Sequence, residues 1–165
     1  MPSEPPRLRA RRCGPDDVIG LRQVVLRPHM SIDEARYPAD FSPGTVHFCT
    51  EDDAGRVVSV ATLLKEPPPW QPDLINGWHL RGMATDPGWR GLGGGSTVLS
   101  AVFTYVSGTG GGVLWCNARL GAVGFYERAG MVATGEPWEE PVIGPHIAMF
   151  IFIPSGGAPS VAAGE

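Results

Sequence analysis

Lysine is almost missing from this chain: Lys65 is the only one, and the other basic residues are arginines. Cysteine is scarce, at three residues (Cys13, Cys49 and Cys116), with no Cys-x-x-Cys spacing. The four histidines, His29, His47, His79 and His146, form no His-x-x-x-His pair. These spacings exclude a disulfide framework and give no zinc-ligand pattern, so no metal is expected. An odd, scattered cysteine count also fits a reducing cytoplasm. No apolar run approaches the roughly 20 residues of a membrane-spanning helix. The opening Met1-Pro2-Ser3-Glu4-Pro5-Pro6 lacks the apolar stretch of a secretory signal. A net charge of −4 lacks the basic excess that a nucleic-acid partner would select. The expectation is a cytoplasmic protein with no membrane or nucleic-acid partner.

What is there is enough for one packed domain: 165 residues, 42% hydrophobic and 18% charged. Residues 1–6 and 154–165 are read as a disordered N-terminus and a disordered tail, leaving a domain over 7–153. Arg7–Cys13 alternates like a strand. Gly14-Pro15-Asp16-Asp17 reads as a turn and helix start, followed by Val18, Leu21, Val24 and Val25 on one helical face. Residues 28–44 read as a long loop or a short broken helix. Thr45–Thr50 and Arg56–Leu64 form a hairpin pattern, and Trp78–Thr85 another strand. Val98, Leu99, Val102, Phe103 and Val106 recur at helical spacing. Val113–Cys116 is a short strand, Ala118–Ala129 a helix, and Met131–Trp138 and Ile147–Ile153 two last strands. Helices among strands, with hairpins at both ends, indicate an α/β (α+β) domain.

The most informative stretch is Arg90-Gly91-Leu92-Gly93-Gly94-Gly95, between a strand pattern and a helix pattern. Glycines let the backbone wrap closely, and a helix starting at Ser96 points free N–H groups into the loop. Such a loop suits a phosphate or pyrophosphate. No lysine follows it, so a Walker P-loop fails. Ser96 stands where a dinucleotide fingerprint needs its third glycine. Coenzyme A remains, since the run fits (Arg/Gln)-x-x-Gly-x-(Gly/Ala).

At this point two segments carry a family resemblance. Leu80-Arg81-Gly82-Met83-Ala84-Thr85-Asp86-Pro87 with Arg90–Gly95 resembles the acetyl-CoA site of the GCN5-related N-acetyltransferases (GNAT). Leu114-Trp115-Cys116-Asn117-Ala118-Arg119, with Phe125-Tyr126-Glu127-Arg128-Ala129-Gly130-Met131, is similar to that family's second signature. Met131 replaces the usual Phe. The resemblance implies a mixed, mostly antiparallel sheet of about six to seven strands with about four helices. It implies an acyl-CoA-dependent N-acyltransferase, moving acetyl from acetyl-CoA to a primary amine by direct attack in a ternary complex. The alternative is a non-catalytic acyl-CoA-binding regulatory module. The acceptor is a small-molecule amine or a peptide, and a homodimer is left open.

The resemblance also implies site residues. The N–H groups of Arg90, Gly91, Leu92, Gly93, Gly94, Gly95 and Ser96 would hold the pyrophosphate, with Arg90 adding charge or only capping the loop. Met83, Ala84 and Thr85 would pair with pantetheine through their main chain and offer an N–H to the thioester oxygen. Tyr126 would give a proton to the leaving thiolate, as a phenol of ordinary pKa about 10 can. Asn117 would hydrogen-bond cofactor or the next helix, or serve as a helix N-cap. For the base, His79 and His146 are both open, as is ordered water. His29 and His47 read as surface or hairpin residues. Cys116 reads as a small apolar residue without the paired base a covalent route needs. Apart from the resemblance, Asp33, Glu34, Asp40, Glu139 and Glu140 either hint at a cationic acceptor or are simply solvated, and Tyr37 and Trp138 either line its pocket or simply pack.

Overall fold

The computed structural model describes residues 4–156, and the expected disorder at 1–3 and 157–165 lies outside them. The chain forms two compact units, each assembled from two stretches. The first joins the stretch up to Leu63 with Gly82–Val102; the second joins Leu64–Arg81 with the stretch from Phe103.

The first unit contains β1 (Arg9–Cys13), α1 (Pro15–Leu26), β2 (Val46–Glu51) and most of β3 (Val57–Lys65), with the end of β4 (Gly77–Thr85) and the start of α2 (Gly94–Gly108). β1 and β2 pair antiparallel from Arg9↔Glu51 to Cys13↔His47, and β2 pairs antiparallel with β3. Asp52 closes their turn, its carboxylate accepting from the N–H groups of Ala54 and Arg56 at 2.9 Å each. Val18, Ile19, Ala35, Cys49, Val60 and Ala84 form the core, with Cys13, Leu21 and Val25 packed on it.

Pro15 starts α1, and the Asp17 carboxylate accepts from Gly14 N at 2.9 Å. The helix faces the core differently from its expected stripe: Val18, Ile19 and Arg22 are buried, while Val24 is 60% exposed. The reason is a buried ion pair. Arg22 donates to both carboxylate oxygens of Asp40 (2.7 and 2.9 Å), to Thr62 Oγ1 (2.9 Å) and to Ala35 O (3.2 Å). A charge enters an apolar stripe when it is paired and hydrogen-bonded. Asp40 lies in a 3-10 turn, Pro38–Phe41. That turn is all the regular structure formed in 28–44 beyond simple turns, so there are three α-helices among the described residues instead of about four. Prolines 28, 38 and 43 keep a helix from propagating there.

In the second unit, β5 (Gly112–Arg119), α3 (Val123–Arg128), β6 (Val132–Glu140) and β7 (Gly144–Ile153) join the start of β4. β7 pairs antiparallel with β5 along the whole of β5, from Gly112↔Ile153 to Arg119↔His146, and β7 pairs antiparallel with β6. β4 and β5 pair in parallel. With antiparallel and parallel ladders and α-helices, the expected α/β fold class holds. The helix expected from Ala118 starts later: β5 continues to Arg119, Leu120–Ala122 is a 3-10 turn, and α3 begins at Val123. The rungs Asn117↔Ala148 and Ala118↔Ile147 hold these residues in the sheet, so Asn117 is no helix N-cap. The last hairpin is also longer than expected, with β7 beginning at Gly144. Within the expected tail, residues 154–156 are tied to α2: Gly156 N donates to Ser107 O at 3.3 Å, and Ser107 Oγ to Pro154 O at 3.2 Å.

Candidate active site

The glycine loop lies wholly in the first unit. β4 turns left-handed at Gly82 (φ +61), a conformation that excludes most side chains. An ideal Cβ there would sit 2.9 Å from Arg22 Nε, so the absent side chain also makes room for the buried guanidinium. Met83, Ala84 and Thr85 follow, with Ala84 buried. Asp86 then anchors the chain. Its N–H donates to Val58 O at 2.8 Å, and its carboxylate accepts from Gly88 N and from Arg56 Nη2, each at 2.9 Å. Those two donors hold the Asp86 carboxyl below its usual range, the Gly88 N–H first. Gly91 and Gly93 take φ of 76 and 91.

α2 begins at Gly94, two residues earlier than the sequence pattern suggests. Its first bond at the loop is Thr97 N to Gly93 O, 2.9 Å. The N–H groups of Gly94, Gly95 and Ser96 precede that bond and have no intrahelical acceptor. Two buried hydroxyls fix this helix start: Ser59 Oγ donates to Gly94 O at 2.7 Å and Thr50 Oγ1 at 3.2 Å. Nothing in the sequence pattern marks either hydroxyl, because they act on a carbonyl 35 and 44 residues away. Arg90 and Leu92 are exposed on the loop.

The other expected site residues lie in the second unit. There the parallel ladder of β4 and β5 has rungs at Gly77↔Val113, Trp78↔Leu114 and His79↔Trp115, and no further. β4 continues through Leu80 and Arg81, and β5 through Asn117, with no rung between them. His79 thus marks the fork. Its ring stacks on Trp115 (centroids 3.8 Å, 9° between planes), and its Nδ1 lies 2.9 Å from Glu66 Oε2. Burial lowers the imidazole pKa, opposed by Glu66 and assisted by Arg81. Asn117 is exposed on β5, just beyond the fork.

Tyr126 is 8% exposed on α3, its ring edge-on to Phe125 at 5.1 Å. Its hydroxyl has no hydrogen-bond partner among the described residues, yet it is not sealed off; that condition applies to Arg22 Nε alone. Burial raises the phenol pKa, and Cys116 adds to the rise. Burial also pushes the Cys116 thiol up to about 12. Cys116, Asn117 and the His79 partner Trp115 are consecutive on β5, so this strand gathers three expected features. His146 is placed apart. It pairs with Arg119, four residues further along β5, which is about 13 Å of strand. Its ring is buried against Trp138 (5.9 Å), with Nδ1 2.8 Å from Gly144 O.

One acceptor-side expectation changes. Asp40 is buried, and both its carboxylate oxygens accept from Arg22. His47, read as a surface or hairpin residue, lies in the hairpin: it is a buried β2 residue 2.8 Å from Thr62 Oγ1 and 2.9 Å from Asp40 O. Asp33, Glu34, Glu139 and Glu140 remain exposed. Among the described residues, no group of three or more His, Cys, Asp or Glu could hold a metal ion, and no helix is long and apolar enough to cross a membrane.

Residues 20–131, which include the glycine loop, match the model of the Acetyltransferase (GNAT) family. The chain belongs to the GNAT acetyltransferase family. An N-acetyltransferase of Bacillus subtilis (strain 168), YitI, itself uncharacterised, is 34% identical over 135 residues, covering 82% of this chain and 89% of that one. Among solved structures, an N-acetyltransferase from Lactobacillus plantarum shares the fold with a TM-score of 0.71 at 19% identity, covering 88% of this chain and 98% of that one. An aminoglycoside 6'-N-acetyltransferase complexed with coenzyme A shares it with a TM-score of 0.70 at 13% identity, covering 90% and 99%. This GNAT protein is therefore an N-acetyltransferase enzyme, of a family that uses acetyl-CoA and acts on small-molecule or peptide amines.

Proposed function

We propose that the protein transfers acetyl from acetyl-CoA to a primary amine by direct attack, with both substrates bound together. The observation that carries this reading is the open start of α2. Three N–H groups, from Gly94, Gly95 and Ser96, stand at a positive helix end with no acceptor of their own, a setting suited to a pyrophosphate. Arg90, Gly91, Leu92 and Gly93 complete the loop. Met83, Ala84 and Thr85 supply main-chain contacts to pantetheine, and one of their N–H groups receives the thioester oxygen as it gains charge.

The proton account names two residues. The amine arrives as ammonium and gives one proton to His79. The neutral nitrogen attacks the thioester carbon, the C–N bond forms and the C–S bond breaks. The departing sulfur takes a proton from Tyr126, the second proton of the attacking nitrogen passes through water to the tyrosinate, and the proton on His79 goes to solvent, leaving a neutral amide and a free thiol. Burial raises the phenol pKa, so Tyr126 is protonated at neutral pH and is a weaker acid than a free phenol. Cys116 supports direct transfer over an acyl-cysteine route, because a buried thiol with pKa about 12 and no adjacent base is a poor nucleophile. His79 is favoured over His146 as base because it stands at the fork of β4 and β5.

Calorimetry with acetyl-CoA tests the donor half: binding in the micromolar range, roughly −8 kcal/mol, is expected. No heat at millimolar cofactor refutes the reading. Thiol release across a panel of primary amines separates the enzyme from a non-catalytic CoA-binding module, which would bind cofactor and release nothing.

A further inference from the structure

Glu66 stands directly after β3, in a proline-rich connection with no motif around it. Its main chain is clamped on both sides. Glu66 N donates to Gly77 O at 3.0 Å, and Glu66 O accepts from Trp115 Nε1 at 2.9 Å. Its side chain is 50% exposed and reaches back to His79, whose own side chain is 12% exposed. The His79 ring is fixed by the Trp115 stack, and Trp70 closes over Trp115 and Phe150 at 6.0 Å each. The carboxylate can only accept, so the proton between Glu66 and neutral His79 sits on Nδ1. The lone pair then falls on Nε2, which has no hydrogen-bond partner and is not sealed from solvent.

We propose that Glu66 is a positioning residue for acetyl transfer: it fixes the Nδ1–H tautomer of His79, aims Nε2 at the incoming ammonium and stabilises the imidazolium that forms. This rests on the reading of His79 as base. The pairing follows the logic of any carboxylate–histidine base, in which the acid orients the ring without taking the proton. Two charges act on the imidazole, Glu66 from the β3–β4 connection and Arg81 from β4 itself. The β5 neighbour, Trp115, is uncharged. Removing Glu66 leaves burial and Arg81 unopposed, so the histidine pKa falls further.

The test uses the full chain and two variants, Glu66→Gln and Glu66→Ala, neither of which alters the main-chain bonds. Long-range proton–nitrogen NMR reads the tautomer without any ligand. Wild type is expected as Nδ1–H, Glu66→Ala as a mixture with Nε2–H, and Glu66→Gln with a lower His79 pKa. An Nε2–H wild type, or an unmoved pKa in Glu66→Gln, overturns the proposal. The kinetic arm uses acetyl-CoA with the best acceptor from the amine panel. The acid limb of kcat/KM in Glu66→Gln is expected to move to lower pH with the histidine, and kcat to fall about tenfold to a hundredfold. A purely structural Glu66 would lower Tm and leave the limb in place. If the tautomer and pKa behave as expected but the limb ignores them, His79 is not the base and the catalytic role falls; if no amine releases thiol, the acetyl-transfer reading itself fails while the tautomer result still stands.

Discussion

Asp40→Asn should unfold this protein far more easily than any surface change. The substitution keeps shape and removes one charge. Arg22 is then left 2% exposed, with its guanidinium facing a neutral amide, and its Nε already lacks a partner. Breaking a buried pair on one side costs about 3–5 kcal/mol, because the remaining charge is desolvated without compensation. For a chain of this size, 1 kcal/mol moves Tm by about 2–4 °C, so the fall should be about 6–20 °C. Urea titration at pH 7, with fluorescence and circular dichroism as coincident probes, measures the same loss as a shift in midpoint at constant slope. The double variant Arg22→Met, Asp40→Leu removes both charges and should be clearly less damaged than the sum of its single variants. The pair also sets a pH dependence. Burial pushes the Asp40 carboxyl up, but the Arg22 bonds, the Tyr37 N–H and His47 outweigh it and hold it below its usual value. A depressed carboxyl contributes stability that is complete above its unfolded pKa, about 3.9, and lost as pH falls through the folded value. The excess acid lability of wild type over the double variant should therefore appear below about pH 4. A loss of under about 1 kcal/mol in Asp40→Asn, the level of a surface ion pair, refutes the reasoning.

Tyr126→Phe should lower kcat by about a hundredfold with acetyl-CoA binding unchanged; an unchanged kcat, where chemistry limits the rate, removes the tyrosine from the mechanism. Ser59→Ala with Thr50→Val frees the Gly94 carbonyl from two hydrogen bonds of about 1 kcal/mol each. Calorimetry should show CoA binding weakened by up to about tenfold, while S-acetylpantetheine, which lacks the pyrophosphate, binds as before. Equal losses for both ligands would mean that the hydroxyls do not act on the loop. Gly82→Ala adds left-handed strain of about 1 kcal/mol and drives a methyl against Arg22. It should lower Tm and kcat together, and a variant indistinguishable from wild type by both measures would show that β4 can straighten there.

The glycine loop was legible in the sequence because its geometry is local: the glycines that turn the chain left-handed, Gly91 and Gly93, stand within one short run. The hairpin of β2 and β3 was legible for the same reason, with its strands and turn contiguous. The face of α1 was not. Leu21 and Val24 promise an apolar stripe, and only a carboxylate 18 residues away turns Arg22 inward. The reach of β5 was equally hidden, since residues 117–119 carry helix-compatible side chains and are held extended by β7, nearly thirty residues later. Glu66 left no signal at all. Its importance arises from His79 and Trp115, which the fold brings to it from two other strands.

The chain changes unit three times, within β3, β4 and α2. Neither unit is therefore a contiguous stretch of gene. A ribosome that has released residues up to Leu63 has made most of the first unit but not the strand end and glycine loop that complete it. Those arrive only after the first segment of the other unit has been synthesised. No single truncation yields either unit, and a chimera made at one crossover point would join a donor loop to foreign hydroxyls at positions 50 and 59. A change at the start of α2 therefore meets its hydrogen-bond partners on another segment of the chain, as Gly94 meets Thr50 and Ser59.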